Sequence, residues 1–276
     1  MLETILEMLS NVFLQRALVC VVLISIVSAT IGSTVTFRGM SFLVSTIAHS
    51  SLAGAALAIL LRQYNIININ PTFGALVFGV LLALFIGSHS RTELREHMEV
   101  VIGVAFSLSM SLAILFISMM KEYTTSVWAL ILGDILLLST EDIIFLTTIS
   151  TFVAFIFVLF MREFVNIAFD PEGVKALGVN VKLYEIILLI LIASSVVVLL
   201  RGIGAILVYA VLIIPPAIAN IMGKSITDVI LKAFIISASA GIAGILLSIP
   251  LRIAPGAIIG LILAVLYLFT SIRIRK

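Results

Sequence analysis

The chain predicts an all-α, polytopic membrane bundle, and three observations carry that prediction. Of its 276 residues, 62% are hydrophobic and only 11% are charged, against about 25% charged in an ordinary soluble domain. The mean hydropathy is +1.34. The apolar residues also fall into runs of about 20, the length at which a helix crosses a hydrocarbon core. We read residues 1–276 as a single transmembrane domain, because the polar connections leave no room for a soluble one.

The elements follow in order. Met1 to Asn11 holds Glu3 and Glu7 and no basic residue, so it lacks the positive start of a cleaved signal peptide. Leu2, Ile5, Leu6, Leu9 and Phe13 recur at helical spacing, as an interfacial lead-in would. Apolar segments then run near 13–37, 41–61, 72–88, 99–120, 143–161, 182–201, 204–222, 229–249 and 255–272. Ser126 to Leu138 is apolar but too short to cross, and reads as a helix lying on or dipping into one face. Eight or nine crossings are expected, because one broken helix around Arg201 to Gly204 could replace two.

Basic residues orient the bundle. With nine crossings and the connection at Asp170 in the cytoplasm, eleven of the 16 Lys and Arg lie on that side, and Arg16, Arg62, Lys121, Arg201 and Arg252 lie opposite. The positive-inside rule then puts the N-terminus outside and the C-terminus inside. The lone Cys20 excludes a disulfide framework and a multi-cysteine metal site. Nucleic acid is not an expected partner.

The connection Asp170-Pro171-Glu172-Gly173-Val174-Lys175-Ala176-Leu177-Gly178 carries the start and stop signals of a two-turn helix. Asp170 caps the free amides, Pro171 suits the first helical position, Glu172 suits the positive end, and Gly178 permits a left-handed exit. So short a helix is not stable alone and needs packing against the membrane domain or a partner.

Within the spans, His49 asks for an explanation. Ser45 lies one turn before it and Ser50 beside it, so this face could line a polar path while Leu43, Ile47 and Leu52 meet neighbours. Neutral imidazole binds divalent transition metals, and one ligand per chain slows an ion without trapping it. The alternative is a histidine bonded to a neighbouring helix's carbonyl. Pro215 and Pro216 remove two backbone donors mid-span, which makes either a gate in a broken helix or a packing kink. Ser237, Ala240, Gly241, Gly244 and Ser248 are small steps that bring helices together. Glu93, Glu96 and His97 have a spacing that could hold a metal on one helical face, although a solvated loop with mixed charges is the usual explanation. Asp134, Glu141 and Asp142 make the opposite face modestly acidic. No phosphate-binding Gly-x-x-x-x-Gly-Lys-Ser/Thr loop and no hydrolase signature occurs.

Four stretches, in order, resemble a known pattern: Arg38-Gly39-Met40-Ser41 leading to Ala48-His49-Ser50-Ser51-Leu52-Ala53-Gly54; Ile102 to Ser107; Leu132 to Leu136 with Ser139 and Asp142; and Phe169-Asp170-Pro171-Glu172 with Ala176-Leu177-Gly178, followed by Leu212 to Pro215. The pattern is that of the permease subunits of ABC importers for divalent transition metals, chiefly zinc and manganese. The resemblance implies a homodimer with the path between its copies, cytoplasmic ATPase subunits that hold the ATP, and an extracytoplasmic metal-binding protein. The chain itself would hold no permanent cofactor, and the metal would be cargo. Asp170, Pro171, Glu172, Ala176, Leu177 and Gly178 would form the coupling helix. Three positions depart from the pattern. Ser45 stands where an aspartate is usual, Pro216 where alanine is common, and Asn220 where a basic residue is common. Competing readings are a permease for a metal chelate or corrinoid, an ion-coupled secondary transporter, and a non-transporting scaffold.

Overall fold

Residues 12–89, 95–120, 131–133, 135–136 and 138–274 are described by the computed structural model, without the side chains of residues 89, 95–98 and 273–274. The lead-in before Val12, Glu93 and the side chains of Glu96 and His97, Asp134, and most of the Ser126–Leu138 stretch lie outside the described residues. Eleven helices occur among those that are described. Helix α1 spans Val12–Phe37, α2 Ser41–Gln63, α3 Pro71–His89, α4 Arg95–Ser118, and α5 Thr140–Leu159. Two short helices follow, α6 Met161–Phe169 and α7 Pro171–Ala176. The chain then closes with α8 Val181–Ile203, α9 Val208–Met222, α10 Ile226–Leu251 and α11 Pro255–Ile274.

Eight of these helices are long and apolar enough to cross a membrane; α9, with 15 residues, is the short one. It nevertheless runs from one end of the bundle to the other, as the ends of its neighbours show. A side chain on Gly256, at the start of α11, would sit 3.3 Å from Ile203 O and 3.8 Å from Leu132 O, so α10 ends at the Gly204 end of the bundle. Helix α10 is 26 residues long, and its first turn, where Lys232 donates to Met222 O at 2.8 Å, therefore lies at the other end. Helix α9 joins the two ends beside the eight longer helices. The junction at Arg201–Gly204 is a true break between α8 and α9. Gly204 adopts φ 80° and ψ 160°, a region that only glycine enters readily.

Helices α1, α2, α8 and α9 form the interior, and α3, α4 and α5 turn much of their surface outward. The apolar residues on those outward faces, among them Leu108, Phe155 and Val158, suit lipid or a second copy. Close approach within the interior needs small residues, as the sequence indicated for α10. A side chain on Gly241 would meet Val21 of α1, and one on Gly244 would meet Ile259 of α11. These steps bring helices of one chain together.

The two ends are held differently. At the Gly204 end, Gly133 (φ +74°) lies backbone to backbone against Gly204 (φ +80°), and any side chain on either would enter the other's main chain. Ile135 and Leu138 are buried beside them, so the described part of the Ser126–Leu138 stretch dips into the bundle. Arg16 of α1 donates to Leu138 O at 3.2 Å and to Thr140 Oγ1 at 2.7 Å. Ser139 and Asp142 cap α5 reciprocally, and Asp142 also pairs with Arg201 at 2.8 Å. Asp142 is therefore spent inside the fold and does not add to a free acidic surface. At the Asp170 end, Arg38 pairs with Glu185 at 2.7 Å, and Phe37 stacks near Phe169 with ring centroids 5.8 Å apart.

Candidate metal path and coupling segment

His49 lies eight residues into α2, roughly 12 Å from its first turn, and is half-buried. Its Nδ1 lies 2.8 Å from Ser45 O. A carbonyl only accepts, so Nδ1 carries a proton, and in the neutral tautomer this selects, Nε2 is the nitrogen with the free lone pair. The bond is to the helix's own preceding turn, not to a neighbouring helix. The imidazole is therefore oriented by its own backbone and retains a nitrogen able to ligate. Phe106 of α4 holds the ring edge-on at 4.7 Å between centroids, and Phe42 adds a second ring 5.3 Å from Phe106. Leu43, Ile47 and Leu52 are buried on other faces of α2.

Ser45 shares this face and supplies the carbonyl. Ser50 does not share it, because it turns toward α3 and donates to Phe78 O at 3.0 Å. Its hydroxyl is committed to packing, a result of the roughly 100° per residue that separates it from His49 around the helix. Among the described residues no three His, Cys, Asp or Glu side chains gather as a metal site. His49 is the single imidazole among the described side chains. Phe106, which positions that imidazole, lies in a stretch the sequence had marked, but its contact with His49 spans two helices and left no local signal.

Pro215 and Pro216 lie within a continuous α9, not at a break. They free the carbonyls of Val211 and Leu212. Ser28 of α1 donates to Val211 O at 2.7 Å and approaches Leu212 O at 3.5 Å. Gly32 lies so close to Leu212 O that a side chain there would collide with it, leaving its Cα–H to face the oxygen. Ser28–Gly32 is a π-helical turn in α1. Such turns widen a helix locally and often mark functional sites. The two irregular stretches satisfy each other in the bundle interior.

The coupling-segment residues adopt the geometry their sequence implied. Asp170 accepts from Gly173 N at 2.9 Å, Pro171 is the first helical residue, and Gly178 exits with φ +83°. Glu172 lies in the first turn, and Ala176 ends α7, which buries no residue at all. Leu177 is 83% exposed. The helix is thus rigidly capped but unsupported on its outer side.

Such an assembly of eight helices long and apolar enough to cross a membrane, with an oriented imidazole within the second of them and an uncovered helix on one end, defines a multi-pass membrane protein. The chain belongs to the ABC 3 transport family, which matches residues 10–274. It is 31% identical over 258 residues to the manganese import system permease protein ScaB of Streptococcus parasanguinis, covering 94% of this chain and 89% of that one. It is 32% identical over 255 residues to the manganese transport system membrane protein MntC of Listeria monocytogenes, covering 92% and 88%. Among solved structures, PsaBC from Streptococcus pneumoniae in complex with a Fab matches with a TM-score of 0.84 at 26% identity, over 98% of this chain and 95% of that chain. An inward-facing metal-chelate type ABC transporter matches with a TM-score of 0.77 at 17% identity, over 97% and 88%, which is a likeness of fold alone.

Proposed function

We propose that this chain is the membrane-spanning permease subunit of an ATP-driven importer of divalent transition-metal ions, manganese or zinc. The observation that carries the reading is the near-full-length match to permeases named for manganese import. We infer further that two copies form the path between them, that ATPase subunits dock on α7, and that an extracytoplasmic protein delivers metal to the Gly204 end. The charge distribution supports this orientation. Among the described residues, Arg38, Arg162, Lys175, Lys182, Lys224 and Lys232 lie at the Asp170 end, and Arg16, Arg62, Arg201 and Arg252 lie at the other.

His49 is the proposed station for the ion. Its Nε2 offers one neutral donor, and a second copy would offer another. Two imidazoles without a carboxylate hold a 2+ ion loosely enough to let it leave, as conduction requires. Ser45, with a hydroxyl where the family pattern it resembles carries a carboxylate, would make this site less favourable to an oxygen-loving ion. The coupling route is physical. Helix α7 is stiff, and its neighbour Phe169 touches Phe37 while Glu185 holds Arg38. Both contacts lie just before Ser41, where the helix that carries His49 begins. Displacement of α7 by closing ATPases would therefore reach α2 through one ring contact and one ion pair.

The test is ATP-dependent uptake of manganese, zinc and iron into vesicles that hold this chain with its ATPase and binding protein. Selective uptake that falls at least about tenfold in His49→Ala supports the reading. Uptake that survives the substitution assigns His49 to packing against Phe106. Absence of uptake of every free ion by an intact complex points to a chelated cargo.

A further inference from the structure

The Asp170 end holds a groove of about 790 Å³ between α3, α7 with its connection to α8, and α8, lined by none of the residues proposed for the metal path. Its walls change character with depth. Leu84, Ile186 and Leu189 form the deep part, while Lys175, Lys182 and Glu185 lie toward the bundle's end. Lys182, Glu185, Ile186 and Leu189 follow one face of α8, so the wall passes from an ammonium to an aliphatic surface over roughly 10 Å. Glu185 is engaged by Arg38 at 2.7 Å. Among the described residues neither Lys175 nor Lys182 takes part in an ion pair. The groove therefore presents two exposed ammonium groups beside an apolar slot, at the Asp170 end of the candidate spans α3 and α8.

We propose that this groove binds one anionic phospholipid of the leaflet at the Asp170 end, its phosphate between Lys175 and Lys182 and one acyl chain along Leu84, Ile186 and Leu189. A soluble phosphate would leave the apolar wall bare. A zwitterionic lipid would bring a cation of its own toward two lysines. Basic pockets between helices at a membrane surface favour the anionic headgroup. The headgroup would bridge α7 to α8 and brace from the membrane side a helix that buries nothing within its own chain. The proposal rests on the membrane placement of the bundle and is independent of the cargo.

The experiment is native mass spectrometry of the full chain in mild detergent, titrated with phosphatidylglycerol, phosphatidylcholine or inorganic phosphate. One phosphatidylglycerol per chain should be retained, with affinity falling about fivefold in Lys182→Gln and again on adding Lys175→Gln. The Lys175→Arg/Lys182→Arg pair, which keeps the charge, should retain the lipid. Equal retention by wild type and the glutamine pair overturns the proposal, whatever that pair does to ATPase capture. Equal binding of phosphatidylcholine overturns it as well, and so does displacement of the lipid by inorganic phosphate at matched concentration.

Discussion

The two ends of the bundle solve the same problem in opposite ways. Each must terminate several helices and satisfy their free backbone groups. The Gly204 end does so within the chain: two glycines stack main chain on main chain, Arg201 and Ser139 share Asp142, and Arg16 reaches Leu138 O and Thr140. The Asp170 end leaves a capped helix uncovered, with Leu177 exposed, while the ion pairs Arg38–Glu185 and Lys232–Asp228 lie elsewhere at that end. The difference marks where the proposed ATPase would dock. An end that is closed by its own contacts has its stability built in, whereas an end that leaves a capped helix uncovered offers a surface to a partner.

The sharpest way to break this comparison is Gly204→Val. It adds the strain of a backbone region reserved for glycine, about 1–3 kcal/mol, to overpacking of about 1–3 kcal/mol. The folded yield in detergent should collapse, and a wild-type melting temperature would show that the glycine contact is not holding the end. Next in size is Arg201→Met, which strands Asp142 and should cost about 1–2 kcal/mol, reduced from the fully buried case because both side chains keep some solvent. The Asp142→Asn/Arg201→Met pair should recover part of that loss; a pair no better than the single variant would mean that the arginine acts by packing. Ser28→Ala leaves Val211 O without its donor and should cost about 1 kcal/mol, read from thermal unfolding. The smallest effect on stability belongs to Leu177→Asp, within about 0.5 kcal/mol of wild type for the isolated chain. Its consequence should appear only in the assembled transporter, as ATP hydrolysis without transport or as loss of ATPase binding. A destabilised isolated chain would contradict the reading of α7 as an uncovered docking element.

The parts of the fold legible in the sequence are those written by neighbouring residues. The spans near 41–61 and 182–201 match α2 and α8 to within about two residues at each end. The Asp170 cap, Pro171 at the first helical position and the Gly178 exit were all readable, because each depends on residues no more than about four apart. The capping box that starts α5 at Thr140, three residues before the apolar run, follows the same local logic. Helix α6 was hidden, since Met161–Phe169 reads as a continuation of the apolar span until Phe160 breaks it. The π-helical turn at Ser28–Gly32 was also hidden, and its partners, the Val211 and Leu212 carbonyls, lie on another helix.

By itself, then, the sequence determined the class of protein, the spacing of its crossings, the bias of its basic residues and the shape of the α7 helix. These follow from solvent transfer and local hydrogen bonding, which depend on composition and short-range order. Only the tertiary structure decided what the ambiguous residues do. It turned Ser50 to Phe78 O and away from the His49 face, placed Ser28 on the carbonyls that Pro215 and Pro216 release 183 residues away, and gave Asp142 to Arg201. A buried polar group must find a partner, and in a bundle of this many helices the rotation of each one chooses among many candidates far apart in the chain.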